Sequence, residues 1–210
     1  METLLLVLAL SLDAFVASVA YGTNKIKIPC ISIIIIDIVC ASFLTLAIFS
    51  GELVKNFLPT NSTSIISFLI LILLGIYYLF ESIVKSFFKN RFYSKERVKV
   101  KLFDIRLVID IYVDEIKADF DNSKKLSSKE ALYLATALSL DSLAIGFSSG
   151  LGNVNPLLLI SMSLIFDVLA IWSGLVIGKR LVEKSKINLS WVAGIILITL
   201  AFLKLKQPTF

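Results

Sequence analysis

Leu10-Ser11-Leu12-Asp13-Ala14 recurs as Leu138-Ser139-Leu140-Asp141-Ser142 in the second half of the chain. In both copies an aspartate stands in the middle of an apolar segment that is long enough to cross a lipid bilayer. A charged side chain at the bilayer centre costs about 2.5–3.5 kcal/mol on insertion scales, so such residues usually mark a functional site. Their repetition at matched positions of two halves predicts a transporter built from a duplicated unit.

The composition indicates an integral membrane protein. Of the 210 residues, 57% are hydrophobic, which is more than a soluble domain of this size can bury in one core. The net charge of +5 therefore describes orientation in the membrane rather than affinity for nucleic acid, and no removable signal peptide is expected at the first apolar run. The apolar runs predict six spanning helices, at residues 3–22, 29–50, 64–85, 129–150, 156–178 and 188–205.

Lysine and arginine are distributed unevenly between the two sides of the predicted membrane. Eighteen of the 21 lie in or beside three loops, at residues 23–28, 86–128 and 179–187. By the positive-inside rule, these loops face the cytoplasm and both termini lie outside. In the long central loop, alternating basic and apolar residues at 97–102 favour a short hairpin, although an interfacial helix also fits the pattern.

The two halves of the chain repeat. An ungapped alignment of residues 4–22 with residues 132–150 matches eight identical residues, Asp13 and Asp141 among them. Because each half carries three spans, an odd number, the two copies must enter the membrane in opposite directions. We therefore expect an all-α membrane protein with six transmembrane helices in two inverted three-helix repeats. Residues 1–85 form the first repeat, 86–128 a charged cytoplasmic loop, and 129–210 the second repeat.

Four aspartates on four predicted spans are the candidate metal ligands. Asp13 and Asp141 share a helix face with small residues, which let helices approach closely and leave room for an ion. The second and fifth spans add Asp37 and Asp167. The chain contains no histidine, and the interiors of these four spans contain no Lys or Arg. The acids must therefore bind cations or protons, and oxygen ligands suit Mn²⁺, Mg²⁺ or Ca²⁺. The alternative for each aspartate is a hydrogen bond to a neighbouring helix.

The remaining acids and cysteines of the spans are weaker candidates. Glu52 and Glu81 stand at helix ends, which indicates an interfacial position. Cys30 and Cys40 are ten residues apart on one predicted helix, or about 15 Å, which is beyond the reach of a disulfide. Cysteine is thus a minor candidate ligand, and any metal site is expected to rely on oxygen.

Residues 119–130 have the twelve-residue spacing of a calcium-binding loop. Side-chain oxygens at its positions 1, 3, 5 and 12 belong to Asp119, Asp121, Ser123 and Glu130. Calcium loops carry glycine at position 6 for a sharp turn, whereas Lys124 stands there in this chain. The alternative is a solvated loop whose Glu130 caps the following helix.

The doubled Ser-Leu-Asp helices, the six spans and the charged central loop resemble the MntP family of manganese efflux pumps. Residues 11–15, 21–22, 26–29 and 118–131 are similar to a related subgroup of sporulation membrane proteins. The resemblance covers nearly the whole chain and implies a multi-pass bacterial cell-membrane protein related to divalent-cation exporters, with Asp13 and Asp141 as ligands. Asp37 does not coincide with the acid on the second helix of the manganese pumps, so the fold is implied rather than manganese specificity.

The sequence therefore predicts a divalent-cation exporter of the manganese-pump type. Asp13 and Asp141 would bind the ion near the midplane of the membrane. Asp167 and Asp37 would complete the site or relay the ion. No nucleotide-binding motif occurs, so an ion gradient or the membrane potential would supply the energy. The expected partners are the lipid bilayer and the divalent cation, without nucleic acid or a cofactor. The alternative is a non-transporting sporulation membrane protein that acts through its cytoplasmic loop. An aspartyl intramembrane enzyme is disfavoured, because neither repeated aspartate has a glycine-bearing context.

Overall fold

The computed structural model describes residues 2–91, 105–152, 154–180 and 198. Within these ranges the chain is all-helical, with no β-strand. Five helices are long and apolar enough to cross a membrane, which confirms the predicted all-α, multi-pass class. The α-helices are α1 (Glu2–Thr23), α2 (Cys30–Lys55), α3 (Thr60–Arg91), α4 (Ile105–Val113), α5 (Ser128–Leu151) and α6 (Pro156–Arg180).

Two helices begin where the sequence predicts, at a proline. Pro29 precedes α2 and Pro156 begins α6, since proline is tolerated where a helix has no amide to pair. Helix α3 begins at Thr60, directly after Pro59 and before the predicted start at residue 64. The far ends of α2 and α3 extend past the predicted ends at residues 50 and 85, because a helix continues in water after its apolar run stops. The predicted sixth span at 188–205 and the predicted hairpin at 97–102 lie outside the described residues.

A short helix, α4, lies in the described part of the central loop. In α4, Leu107 and Ile111 are buried while Ile109 is exposed, so the helix lies with one apolar face against the protein. A 3₁₀ turn at Glu115–Ala118 follows. The hydroxyl of Tyr21, at the end of α1, donates a hydrogen bond of 2.6 Å to the carbonyl of Glu115. The loop is thereby held on the end of α1.

The spanning helices pair across the two halves of the chain. The main packing partners are α1 with α6 and α2 with α5. A Cβ added to Gly22 would lie 2.9 Å from the Cα of Gly178, and one added to Gly51 would lie 3.0 Å from the Cα of Gly150. Glycine is thus required for the close approach in both pairs. Since the later residues of one helix meet the later residues of the other, both pairs run parallel.

The helix α5 lies at the centre of the bundle. In its most apolar 18-residue window 61% of residues are buried, against 22–39% in the other four candidate spans. The outer helices instead expose large apolar side chains such as Phe49, Ile65 and Trp172, as expected for contact with lipid. The buried side chains form two apolar clusters, one containing Leu10 and the other Ala14. Asp13 therefore stands at the boundary between these clusters.

Candidate metal centre

A small cavity lies where α1, α2, α5 and α6 meet. Its volume is about 20 Å³, which is enough for one ordered water or one bare ion. The polar and sulfur-bearing residues that line it are Asp13, Asp37, Cys40, Ser142 and Asp167. Three of the four predicted intramembrane ligands, each from a different helix, thus line one small cavity.

Asp37 and Asp167 face this cavity with unsatisfied oxygen atoms. The Oδ1 atom of each is buried and has no hydrogen-bond partner. In the ranges that the structure describes, neither carboxylate pairs with Lys or Arg. Buried polar atoms in folded proteins nearly always have a partner, because burial without one costs free energy. A cation inside the cavity would supply that partner to both oxygens.

Asp13 is oriented by a tyrosine from a different helix. Tyr78 on α3, which is only 1% exposed, donates its hydroxyl to Oδ2 of Asp13 at 2.5 Å. This short, charge-assisted hydrogen bond restrains the carboxylate. Asp13 therefore forms the hydrogen bond to a neighbouring helix that was the alternative to metal binding, and it also lines the cavity. The two roles are compatible because a carboxylate has two oxygens.

Asp141 does not line the cavity itself, although its neighbours Leu138 and Ser142 do. Tyr112 on α4 donates a hydrogen bond of 3.1 Å to its Oδ1. Burial, and then the negative charge of Asp141, raise the pKa of Tyr112 far above its usual range, so the hydroxyl remains a donor. Of the two aspartates predicted to be equivalent, Asp13 thus lies in the cavity wall and Asp141 lies beside the cavity.

Aromatic rings connect the two tyrosine donors. Tyr77 stacks on Tyr112 with ring centroids 6.5 Å apart, and it meets Tyr78 edge-on at 5.9 Å. Such pairs stabilise a fixed geometry beyond the area that they bury. Asp13 and Asp141, 128 positions apart in the sequence, are therefore held by neighbouring groups of one aromatic cluster.

Sequence reasoning missed the tyrosines and gave Cys40 a minor role. Cys40 lines the cavity and also contacts the carbonyl of Ala135 at 3.7 Å. It follows Asp37 by three positions, so helical spacing placed it on the same face. No comparable signal connects Tyr78 to Asp13, since the two lie on different helices. Cys30 is exposed, and both cysteines are free, in agreement with the predicted absence of a disulfide between them.

The structure also brings together the acids of the predicted calcium-binding loop at residues 119–130. Carboxylate oxygens of Asp119, Asp121 and Glu130 lie within 4.8 Å of one another. Ser127 and Glu130 form a capping box at the start of α5, so the predicted capping role of Glu130 is present as well. Glu52 is exposed at the end of α2, and the side chain of Glu81 lies outside the described residues.

Comparison with known proteins supplies the context for these sites. The model of the family described as "Mntp: Putative manganese efflux pump" matches residues 104–205. The match includes Asp141, Asp167 and the loop at 119–130. The protein described as "Probable sporulation protein YtaF" from Bacillus subtilis (strain 168) is 28% identical over 206 residues, covering 96% of this chain and 97% of that protein. No solved structure matches the chain. The resemblance inferred from the paired Ser-Leu-Asp helices is thereby confirmed: this multi-pass membrane protein is similar to the Mntp family of efflux pumps and, over nearly its whole length, to the sporulation protein YtaF.

Proposed function

We propose that this protein exports a divalent cation, with Mn²⁺ as the preferred candidate. The observation that carries the proposal is the cavity at the meeting point of four helices, where two buried carboxylate oxygens have no partner. Asp13, Asp37 and Asp167 bind the ion directly, and Asp141 joins them during the transport cycle. Hard oxygen ligands suit Mn²⁺, and the family name supports the same ion.

The proposed mechanism is alternating access by two inverted repeats, comprising residues 1–85 and 129–210 with the loop 86–128 between them. The parallel pairing of α1 with α6 and of α2 with α5 supports it. If α1 and α2 cross the membrane in opposite directions, then α5, parallel to α2, opposes α1, its counterpart in the repeat. Rocking of one pair against the other would open the cavity to each side in turn.

Flux measurements test this proposal. Purified protein in proteoliposomes is expected to carry Mn²⁺, and the double variant Asp13→Asn/Asp141→Asn is expected to carry none while it still inserts into the membrane. Glu52→Gln is a matched control, because Glu52 is an exposed acid away from the cavity. Full Mn²⁺ flux in the double variant would refute the assignment of the site.

The proposed orientation places residues 23–28 and the central loop in the cytoplasm, with both termini outside. The excess of Lys and Arg in these loops supports it. A single cysteine introduced at Lys25, which is exposed, in a Cys30→Ser/Cys40→Ser background reports the side directly. In intact cells it should resist a membrane-impermeant thiol reagent, and it should react after permeabilisation. Labelling in intact cells would reverse the orientation.

A second candidate function is a sporulation membrane protein that acts through its central loop without transport. The name of its B. subtilis relative supports this alternative, as does the hydrogen bond that joins Glu115 of the central loop to Tyr21 of α1. Under this alternative, loop variants abolish function in sporulating cells, whereas aspartate-to-asparagine changes in the spans leave it intact. No flux of Mn²⁺, Mg²⁺ or Ca²⁺ in proteoliposomes would favour it.

A further inference from the structure

Three carboxylates converge in the loop before α5 without a positive partner. One oxygen each from Asp119, Asp121 and Glu130 lies within 4.8 Å of the other two. Among the described residues, no Lys or Arg forms an ion pair with any of the three. Negative charges at this separation repel one another, and the repulsion is strongest where burial lowers the local dielectric constant. A bound cation would remove this repulsion.

The burial of Asp119 points independently to a missing ligand. Its side chain is only 7% exposed. Oδ2 accepts a hydrogen bond of 3.2 Å from the amide of Lys124, but Oδ1 is buried and has no partner. A buried acceptor without a donor is rare in folded proteins, and this one belongs to the carboxylate that converges on Asp121 and Glu130.

Glu130 is fixed in place by the backbone of the same loop. It is fully buried, and its Oε1 accepts a hydrogen bond of 3.1 Å from the amide of Phe120. Its Oε2 accepts two hydrogen bonds of 2.8 Å, from the amide and from the hydroxyl of Ser127. Oε1 accepts only the bond from Phe120, and a carboxylate oxygen has two lone pairs. Capping of α5 therefore leaves Oε1 of Glu130 able to bind a cation.

The turn of the loop is already formed although glycine is absent. Lys124, at the position where calcium loops carry glycine, has φ of 56°, which lies in the left-handed region that glycine adopts at no cost. The hydroxyl of Ser123 donates to the carbonyl of Lys125 at 3.0 Å. This hydrogen bond between positions 5 and 7 holds the loop in its turn.

We propose that residues 119–130 bind one divalent cation of the calcium class through Asp119, Asp121 and Glu130. All three ligands are carboxylate oxygens, two of them on an irregular loop and the third, Glu130, in the first turn of α5. Ca²⁺ accepts such irregular sets, whereas Mg²⁺ demands octahedral geometry. This inference is independent of the transport proposed above.

The position of the loop gives the site a structural role. The amide of Leu126 donates to the carbonyl of Lys27 at 2.9 Å, and the amide of Lys27 donates to the carbonyl of Lys124 at 2.9 Å. Ser32 in α2 donates to the carbonyl of Leu126 at 2.8 Å. A bound cation would therefore stabilise the hydrogen-bonded connection between the beginnings of α2 and α5.

Calcium binding to the purified full-length chain in detergent tests the proposal. An Asp13→Asn/Asp167→Asn background removes ligands of the cavity, so that the remaining Ca²⁺ site can be counted by isothermal titration calorimetry. This background is expected to bind one Ca²⁺ per chain, and adding Asp119→Asn should weaken that affinity at least about tenfold. Asp110→Asn is the matched control, because Asp110 is a half-exposed acid on α4 that pairs with Lys117 at 3.3 Å. Equal affinity in the Asp119→Asn and Asp110→Asn variants would overturn the proposal.

A gain-of-affinity variant separates loss of a ligand from loss of folding. Lys124→Gly removes a positive charge and relieves the left-handed conformation, so Ca²⁺ should bind about tenfold more tightly. Misfolding cannot produce this result. Failure of both the background protein and its Lys124→Gly variant to bind Ca²⁺ up to about 10 mM, above the range of weak calcium modules, would also overturn the proposal.

Discussion

Tyr78 on α3 donates a hydrogen bond from its hydroxyl to Asp13, 65 positions away in the sequence. This contact links α3 to the carboxylate cavity, although α3 contributes no ligand to it. A side chain that only positions a ligand can be removed while the ligand remains. The contact therefore separates the effect of orienting Asp13 from the effect of its charge.

Removal of the Tyr78 hydroxyl should weaken the affinity for Mn²⁺ and leave the protein folded. In Tyr78→Phe the carboxylate of Asp13 loses a charge-assisted hydrogen bond, and loss of such outer partners typically reduces metal affinity about 10- to 100-fold. The measurement is the Mn²⁺ concentration at half-maximal uptake in proteoliposomes. Tyr133→Phe, on the part of α5 that packs against Phe120, is the control. An unchanged half-maximal concentration in Tyr78→Phe would show that this hydrogen bond is not needed.

The unpartnered oxygens of Asp37 and Asp167 predict a metal-dependent gain in stability. A ligand that binds only the folded state at 100 times its dissociation constant adds about 2.7 kcal/mol to the free energy of unfolding. Mn²⁺ should thus raise the thermal midpoint of the detergent-solubilised wild type but not that of Asp37→Asn/Asp167→Asn. Without metal, the double variant should be at least as stable as the wild type, because two carboxylates that each have a buried oxygen without a partner have been replaced by neutral amides. A Mn²⁺ shift of equal size in both proteins would contradict the assignment.

Cys40 should influence which ions compete for the cavity. Cys40 lines a cavity whose other polar residues are three carboxylates and a hydroxyl, and sulfur favours softer ions such as Zn²⁺ over Mn²⁺ or Mg²⁺. Zn²⁺ is therefore expected to inhibit Mn²⁺ uptake, and Cys40→Ser should raise the inhibitory concentration about tenfold. Cys30→Ser is the control, since Cys30 is exposed. Identical inhibition of both variants would place Cys40 outside the ion's coordination sphere.

The close crossing of α2 and α5 predicts an intolerance to larger residues at a single position. A Cβ on Gly51 would lie 2.5 Å from the carbonyl oxygen of Phe147, a rigid backbone atom. Gly51→Val should lower the free energy of unfolding by about 1–3 kcal/mol or more, the usual cost of overpacking. The adjacent Ser50 is exposed, so Ser50→Val should have little effect. Thermal unfolding in detergent distinguishes the two, and equal midpoints would mean that the crossing yields to the added methyl groups.

Much of the fold was predictable because hydrophobic length is a local property of the chain. Runs of apolar residues gave five of the spanning helices, and Pro29 and Pro156 mark the beginnings of two of them. The helical character of residues 105–113 was harder to predict, because a segment this short satisfies more than one periodicity. Its apolar face becomes decisive only once Leu107 and Ile111 have the bundle to pack against.

The candidate site was predictable only as a set of residues. An aspartate in an apolar helix is recognisable from the sequence because a charged side chain in the membrane costs free energy, and all four were identified in this way. The separation of Asp141 from the cavity wall, and the donors from Tyr78 and Tyr112, depend on how distant helices pack. Helical spacing within one segment carries no information about such contacts, whereas it did place Cys40 on the face of Asp37.

The pairing of α1 with α6 and of α2 with α5 means that, among the described residues, the most extensive helix packing is between the two halves of the chain. Each of these helices finds its closest neighbour on the other side of the central loop, so a fragment that ends before that loop would expose the glycine faces that its missing partner covers. Two separately made halves would have to fold on each other.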